Sequence, residues 1–489
     1  MKAHRAVGMV WLVVGIGLGG CASEDERQAF EEFDRLSRSM SAEANPAAAP
    51  GPSTAGQPAG APTGDRLAAG LPAEPALADY LSFAAVHNPG LEAAFLRWKA
   101  ALERIPQARA LNDPQFTYRY FIVAQAARGG DMRHMFEISQ AFPWLGKLEL
   151  RGDVAAQEAR AERQRFEAER LRLFQRVKQA YYEYYYVGRA IAITQENVDQ
   201  WRAIEGIARA RYATNAASAP DVIRAQIELA KMENELRSLQ DLRQPSAAKL
   251  NAAMALPAEK ELPFPPPREF PAMGASEAEL AASAEEANPE LKAMRHRVAR
   301  EKSGIELAKK DYFPDVMVGY AYNLMEKAAG LPAMDMHNPM AVSVGLSIPI
   351  WWQKYAAGVR EAQARLGAAG RDLREKTDSL QVDLRLASYN YRNADRKIAL
   401  YRDALVPKAR QSLRSVQASY QTGASTFTDL IDAQRVLLEL QLSYERAVAD
   451  RQQSLAELET LVGRPLGRTD GQSERTPSGA TTQPATTQP

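Results

Sequence analysis

The chain contains an internal repeat, which restricts its fold more than any other feature of the sequence. Asn88-Pro89, Leu91 and Pro114 recur 200 residues later as Asn288-Pro289, Leu291 and Pro314. Further along, an offset of 208 relates Tyr212, Asp221 and Ala225-Gln226 to Tyr420, Asp429 and Ala433-Gln434. Because the offset drifts so little, the halves indicate an old duplication with small loop changes. Both halves should therefore have the same order of elements.

Each half predicts a helix, a β-hairpin, a long helix, a turn and a return helix. The helices are expected at about 76–111, 147–213 and 220–256 in the first half, and at about 275–311, 353–421 and 427–463 in the second. Apolar residues spaced by three and four form a heptad seam along both long helices, each of which would span roughly 100 Å. Pro245 should kink or break the first return helix, and Pro407 should bend the second long helix or end it locally.

The hairpins are expected at 115–142 and 315–348, where the period of the sequence changes to two. Apolar residues such as Phe116, Ile122 and Val342 alternate with polar or small ones. About nine residues per strand, with Tyr and Trp at the strand ends, is typical of a transmembrane β-barrel. The alternative is a soluble β-sandwich, for which four strands are few.

The first twenty residues resemble an export signal, with Lys2 and Arg5 before an apolar stretch. Leu18-Gly19-Gly20-Cys21 resembles the lipobox of bacterial lipoproteins, in which the cysteine is acylated, and Cys21 is the only cysteine. The alternative is an incidental cysteine behind an ordinary signal. Residues 21–75, rich in Ala, Pro and Gly, predict a lipidated N-terminus with a flexible tether, and 466–489 a disordered tail.

Four strands per chain cannot close a barrel, and an open sheet edge in lipid leaves backbone groups unpaired. Three copies would supply twelve strands, so the sequence favours a trimer. With 61 Lys and Arg against 60 Asp and Glu, the chain has no basic footprint for nucleic acid.

Residues 76–465 resemble the TolC-like outer-membrane efflux family, through the lipobox, the doubled Asn-Pro helix, the doubled hairpin and the motif at 420–434. The resemblance implies a mostly helical homotrimer with an outer-membrane β-barrel, four strands per protomer, and a periplasmic α-barrel. The first and second efflux repeats would span 76–265 and 266–465. It also implies an exit duct for an inner-membrane RND-type transporter, joined through a periplasmic adaptor (a membrane fusion protein). It implies no cofactor and no catalytic residue; the long tether and Pro245 depart from the family pattern.

The resemblance places a periplasmic gate after the second turn, where Asp429 and Asp432 share one helix face. Threefold symmetry would stack them as two acidic rings that favour cations. The alternative is a carboxylate that only stabilises a helix N-terminus. The matching positions are Asp221 and Arg224, and Arg224 is expected to pair with a neighbouring aspartate and latch the closed tip. The adaptor-facing tips would be formed by Thr214, Ser218, Thr422, Gly423 and Ser425.

Methionine and histidine cluster at both hairpin loops. The residues are Met132, His134 and Met135 in the first hairpin, and Met325, Met334, Met336, His337 and Met340 in the second. Thioether and imidazole ligands suit Cu(I) or Ag(I), so heavy-metal efflux is one hypothesis for the cargo and drug efflux is another. Flexible apolar loops at a membrane rim are the alternative.

Two other classes of function fit the sequence less well. A lipid-anchored coiled coil without a pore, serving as a structural or adaptor protein, would explain the helices but not the doubled hairpins. An enzyme is disfavoured because the sequence has no Gly-rich phosphate loop, no His-Glu zinc motif and no Gly-x-Ser-x-Gly elbow.

Overall fold

The structure, a computed structural model, describes residues 71–466 apart from 73, 128–129, 216, 269 and 327–337. Its contacts divide the chain into two compact units. The first unit contains the chain up to Lys178 together with Ala248–Lys260 and Ala287–Asp383. The second contains Gln179–Ala247, Glu261–Glu286 and the chain from Leu384 onward.

The first helical stretch of each half is broken at an asparagine. In the first half, α1 (Leu77–His87), α2 (Pro89–Leu102) and α3 (Arg104–Arg109) replace the single helix expected at 76–111. Later α6 (Glu277–Ala287) and α7 (Pro289–Lys310) replace the one expected at 275–311. The prediction of unbroken helices was therefore wrong.

The breaks at Asn88 and Asn288 have a local cause, the proline that follows each asparagine. Asn88 has φ −78° and ψ 116°, and Asn288 has φ −57° and ψ 121°, because a residue before proline avoids the helical region. The Asn88 Oδ1 accepts hydrogen bonds from the backbone N–H of Gly90 (2.9 Å) and Leu91 (3.1 Å). Asn288 accepts one from Leu291 (3.1 Å). Each asparagine thus caps the helix that it starts.

The strands form one antiparallel sheet in the order β1-β2-β3-β4. They are β1 (Gln115–Ala127), β2 (Gly130–Phe142), β3 (Asp315–Glu326) and β4 (Met340–Ser347). The first hairpin pairs Gln115 with Ser139, and the second pairs Asp315 with Ser347. The β2–β3 ladder, which pairs Phe142 with Val316, joins the two halves of the repeat.

The sheet exposes its alternating apolar residues to the surroundings. Phe116, Ile122, Val342, Val344 and Leu346 are each more than half exposed. A water-soluble sheet would cover such a face, so this face requires an apolar environment or a partner. Within the described residues, no helix is both long and apolar enough to cross a membrane.

The long helices follow the expected bounds closely. The first, α4, is Lys147–Ala213, and its return helix α5 is Ala219–Ala253. In the second half, α8 (Trp352–Leu400) leads through a π-turn (Tyr401–Leu405) into α9 (Val406–Thr422), and α10 (Phe427–Val462) returns. The heptad seam is buried in both halves, at Leu173, Val177, Tyr184, Val187, Val198 and Trp201 and at Leu380, Leu384, Ala387, Tyr391, Ala394 and Ile398.

The two helix prolines act differently. Pro245 lies inside α5, which continues to Ala253, so the predicted break was wrong. A proline removes only one helical hydrogen bond, and the buried Ser246 and Leu250 that follow anchor the next turn. Before Pro407 the α-helical hydrogen bonding ends at Leu400. The backbone N–H of Val406 instead donates to the Tyr401 carbonyl, five residues back. The wider π-turn accommodates the proline ring.

Candidate functional site at the helix turns

Two turns join a long helix to its return helix, and both belong to the second unit. The return helix after the first turn is capped by Ser218 and Asp221, whose Oδ2 accepts from the Ser218 backbone N–H (3.2 Å) and hydroxyl (2.8 Å). In the second turn the Asp429 Oδ2 accepts from the Thr426 N–H (2.9 Å) and hydroxyl (2.7 Å). The duplication has therefore kept the same helix cap in both halves.

The cap lowers the pKa of Asp429. Hydrogen bonds from the Thr426 hydroxyl and backbone N–H hold the pKa of this exposed carboxyl below its usual range. Asp432, three residues later and exposed, lies on the same helix face. At neutral pH the carboxylate of Asp429 is charged while it caps α10, so helix capping does not exclude the role in the gate.

The predicted tip hydroxyls close their own turns. Thr214 and Thr422 donate to carbonyls three residues back, Arg211 (3.0 Å) and Ser419 (3.0 Å), and Ser425 donates to Val416 (3.2 Å). Asn215 and Gly423 hold the left-handed conformation that ends the long helices, with φ of 56° and 81°. These bonds shape the turns, in which Thr214, Ser218, Thr422 and Gly423 are exposed.

The predicted ion pair of Arg224 does not form within one chain. Its Nη1 donates to the hydroxyl of Thr428 (3.3 Å), beside Asp429. Across the ranges that the structure describes, no ion pair joins Arg224 to Asp221, Asp429 or Asp432. Pairing with an aspartate of another copy stays a prediction.

Arg211 links the two turns, and sequence reasoning missed it. Its guanidinium donates to the carbonyls of Tyr420 and Gln421 (2.9 Å for the latter), which end helix α9. It also lies 4.8 Å from the centre of the buried Tyr420 ring. Burial raises the pKa of Tyr420, and the positive charge of Arg211 partly offsets this. An arginine of the first long helix thus caps the C-terminus of the second.

A second unpredicted link joins the return helices. Glu228 on α5, whose side chain is only 7% exposed, accepts from the Arg435 Nη2 (2.6 Å) and Nε (3.2 Å) on α10 and from the Lys231 Nζ (3.0 Å). Burial opposes the ionisation of Glu228, but Arg435 and Lys231 together hold its pKa below the usual 4.5. Arg435, the arginine of this bidentate pair, lies one turn beyond Asp432 on α10.

We expect the Glu228–Arg435 pair to make the second unit sensitive to acid. Because the folded pKa is lowered, its stabilisation is complete well above the usual pKa of 4.5 and is lost as the pH falls through the folded value. Glu228→Gln should cost about 2 kcal/mol at neutral pH, and the difference from the wild type should vanish in acid. Thermal midpoints measured from pH 7 to pH 3 test this.

The matched control is Glu233→Gln, at an exposed pair with Arg202, which should change the thermal midpoint little at any of these pH values. A difference that persists in acid would contradict the assignment.

The predicted metal ligands are only partly described. Met132 and Met325 are cross-strand partners, His134 Nδ1 is 2.8 Å from the Tyr118 hydroxyl, and Met135 Sδ accepts from Arg119. Met340 is exposed, whereas Met334, Met336 and His337 lie outside the described residues, as does Cys21. In the part of the chain that is described, no group of three His, Cys, Asp or Glu could hold a metal ion. The methionine-based site stays a prediction.

Comparisons with known proteins agree with this architecture. The model of a family described as outer membrane efflux protein matches residues 80–256 and 280–464. The outer membrane protein TolC of Vibrio cholerae is 22% identical over 417 residues, 79% of this chain and 90% of the relative. BepC, an outer membrane efflux protein of Brucella suis, is 22% identical over 71% of this chain and 76% of its own. The crystal structure of VceC, an outer membrane protein of Vibrio cholerae, superimposes with a TM-score of 0.67 at 17% identity, covering 79% of this chain and 96% of VceC.

Proposed function

The chain belongs to the outer membrane efflux protein family, and on that premise we propose that it is the exit duct of a tripartite efflux pump. The observation that carries the proposal is the sheet, which exposes alternating apolar residues on four adjacent strands. Such a face suits the lipid-facing side of a membrane sheet. The capped helix turns of the second unit are the part of the chain that would contact a periplasmic partner.

The duct would be a homotrimer in the outer membrane. Strands β1 and β4 are the edges of the sheet, and unpaired edges are not tolerated in lipid. Three copies would pair these edges into a closed twelve-stranded barrel. Acylation of Cys21 would add a lipid anchor, with residues 22–75 as the tether.

The gate would lie where three copies bring Asp429 and Asp432 together. Both aspartates are exposed in one copy, so threefold symmetry would produce two rings of carboxylates one helical turn apart. Like charges at that spacing favour cations in the opening and repel one another. Arg211 and Glu228 would hold the helices that carry these rings, and the adaptor of an RND-type transporter would contact the turns at 214–218 and 422–425.

The exported substrate is proposed at the level of class. Heavy metal ions (Cu and Ag, or Co, Zn and Cd) and drugs both fit a water-filled duct, since selection would rest mainly with the pump. Met132 and Met325, which are register partners across β2 and β3, carry thioether groups that suit the copper and silver branch. Titration of the purified protein with Cu(I) tests that branch, and an absence of binding removes its support.

Single-channel recording from the purified full-length protein in a planar bilayer tests the duct. We expect a small, cation-selective conductance, because a gate with acidic rings narrows the opening and favours cations. A verified membrane-inserted trimer that conducts no ions would contradict the proposal. A lipid-anchored coiled coil without a pore would then be the better explanation.

A further inference from the structure

The return helix α5 carries an exposed apolar pair that has no role in the function proposed above. Ile223 and Ile227 lie one helical turn apart and are 55% and 48% exposed. The opposite face of α5 meets α10, through Ala225 in the buried apolar cluster and through the ion pair of Glu228. The apolar pair therefore lies on the side of α5 that α10 leaves uncovered.

The repeat indicates that this side of the helix is a contact surface. An offset of 208 relates Ile223 to Ile431 on α10, so both halves carry isoleucine at this position. Ile431 is only 6% exposed, in the cluster that joins α10 to α4, α5 and α9. The first helix pair of the chain thus helps to cover Ile431, whereas its counterpart Ile223 is left uncovered. A second helix pair of the same kind would cover Ile223, and another copy of this chain supplies one.

The offset also identifies the residue that would lie opposite Ile227. Within one chain, Glu228 on α5 accepts from Arg435 on α10 at 2.6 and 3.2 Å. The same offset relates Glu228 to Val436 and Arg435 to Ile227. When the contact from α5 to α10 is repeated from α10 to α5 of the next copy, Val436 takes the place of Glu228 and Ile227 that of Arg435. Val436 is 49% exposed in one chain, so both members of the equivalent pair are apolar and uncovered.

Asp432 lies between the two contact sides of α10. At about 100° per residue, Arg435 lies about 60° to one side of Asp432 and Val436 about 40° to the other. One side of α10 thus meets α5 of its own chain, and the other side is free to meet α5 of the next copy. This order leaves Asp432 between the two contacts, which suits its place in the gate.

We propose that copies of this chain join head to tail, with Val436 on α10 of one copy packed against Ile223 and Ile227 on α5 of the next. Such a heterologous interface can close into a ring, and the same contact made three times completes the trimer. Around the ring, the ionic link between Glu228 and Arg435 inside each copy alternates with an apolar contact between copies. The inference rests on the proposed function in one respect, the homotrimer.

Cross-linking of the purified full-length protein in detergent tests this interface. With Ile227→Cys/Val436→Cys, a bismaleimide should join neighbouring copies into a ladder that ends at the covalent trimer. A disulfide would be too short, because the equivalent helices inside the chain are bridged by the long side chains of Glu228 and Arg435.

Three variants serve as controls for the cross-link. Ile227→Cys and Val436→Cys alone should give no ladder, since a head-to-tail contact does not bring two copies of one position together. Both also account for Cys21, the only native cysteine. Glu228→Cys/Arg435→Cys is the matched control at the equivalent positions, where the same reagent should link α5 to α10 within one chain and give no ladder.

An exchange of charge tests the same contact without a reagent. Ile227→Arg and Val436→Glu place the charges of the Glu228–Arg435 pair at the equivalent positions between copies. Each single variant leaves a charge against an apolar side chain and should raise the trimer dissociation constant about tenfold or more. The double variant should recover most of this loss, because the two charges then pair.

Two outcomes would overturn the inference: a verified trimer that gives no ladder with Ile227→Cys/Val436→Cys, or a double charge variant whose loss equals the sum of the single losses. All these positions except Glu228 are exposed enough for the variants to fold, which circular dichroism verifies. Bilayer conductance of the same samples separates this result from the duct. A conducting trimer without the cross-link refutes only the interface. A cross-linked, membrane-inserted trimer that conducts no ions refutes only the duct.

Discussion

Replacing Asp429 and Asp432 together by asparagine is expected to remove most of the cation preference of the duct. Across three copies the change deletes six carboxylates, which would be the largest concentration of like charge at the gate. The amide oxygen of asparagine still accepts the bonds from the Thr426 N–H and hydroxyl, so the cap of α10 is retained. Reversal potentials under a KCl gradient measure the effect, and the ratio of cation to anion permeability should fall towards one.

The single variants should differ. The carboxylate of Asp429 also caps α10, whereas Asp432 has no such hydrogen bond among the described residues. Asp432→Asn should therefore change selectivity more. Asp429→Asn should cost slightly more stability at the turn, because the neutral amide keeps the cap bonds but loses the favourable interaction of a negative charge with the helix N-terminus. Asp241→Asn, an exposed aspartate elsewhere on a return helix, is the matched control. If the double variant keeps the selectivity of the wild type, the gate lies elsewhere.

The elements that sequence reasoning located well are those with a local signal. The second long-helix turn was identifiable from Gly423 and Thr426, because a left-handed stop and a cap act within a few residues. The Asn-Pro breaks had an equally local signal, which the expectation of one helix across each asparagine did not use. At Asn88 and Asn288 the proline rule was stronger than the periodicity.

The contacts that hold the candidate site together had no such signal. Arg211 reaches a carbonyl 209 residues away, and Glu228 and Arg435 are 207 residues apart. The repeat did not help, because its offset aligns Glu228 with Val436 and Arg435 with Ile227. A duplication predicts that the helices correspond, but the two halves have since acquired different side chains where they face each other. Links of this kind become visible only when the helices are packed.

The second large effect concerns the packing beneath the turns. Trp201 is 1% exposed in a cluster that draws residues from α4, α5, α9 and α10, among them Ala225, Leu413 and Leu430. This cluster thus joins helices from both halves of the repeat, and Trp201 supplies its largest side chain. Deleting it leaves a cavity that rigid helices cannot close, which typically costs 3–5 kcal/mol. The four helices should then separate more easily at this end.

Trp201→Ala should accordingly raise amide hydrogen exchange in α9 and α10 about 100-fold or more, the factor that corresponds to about 3 kcal/mol of opening free energy. Tyr212→Ala, on the same helix but half exposed, should change exchange by less than threefold. Trp98→Ala, equally buried but in the first unit, should destabilise its own surroundings and leave α9 and α10 protected. Unchanged exchange at the turns of the Trp201 variant would mean that the capping contacts of Arg211 and Glu228, rather than the apolar cluster, hold these helices together.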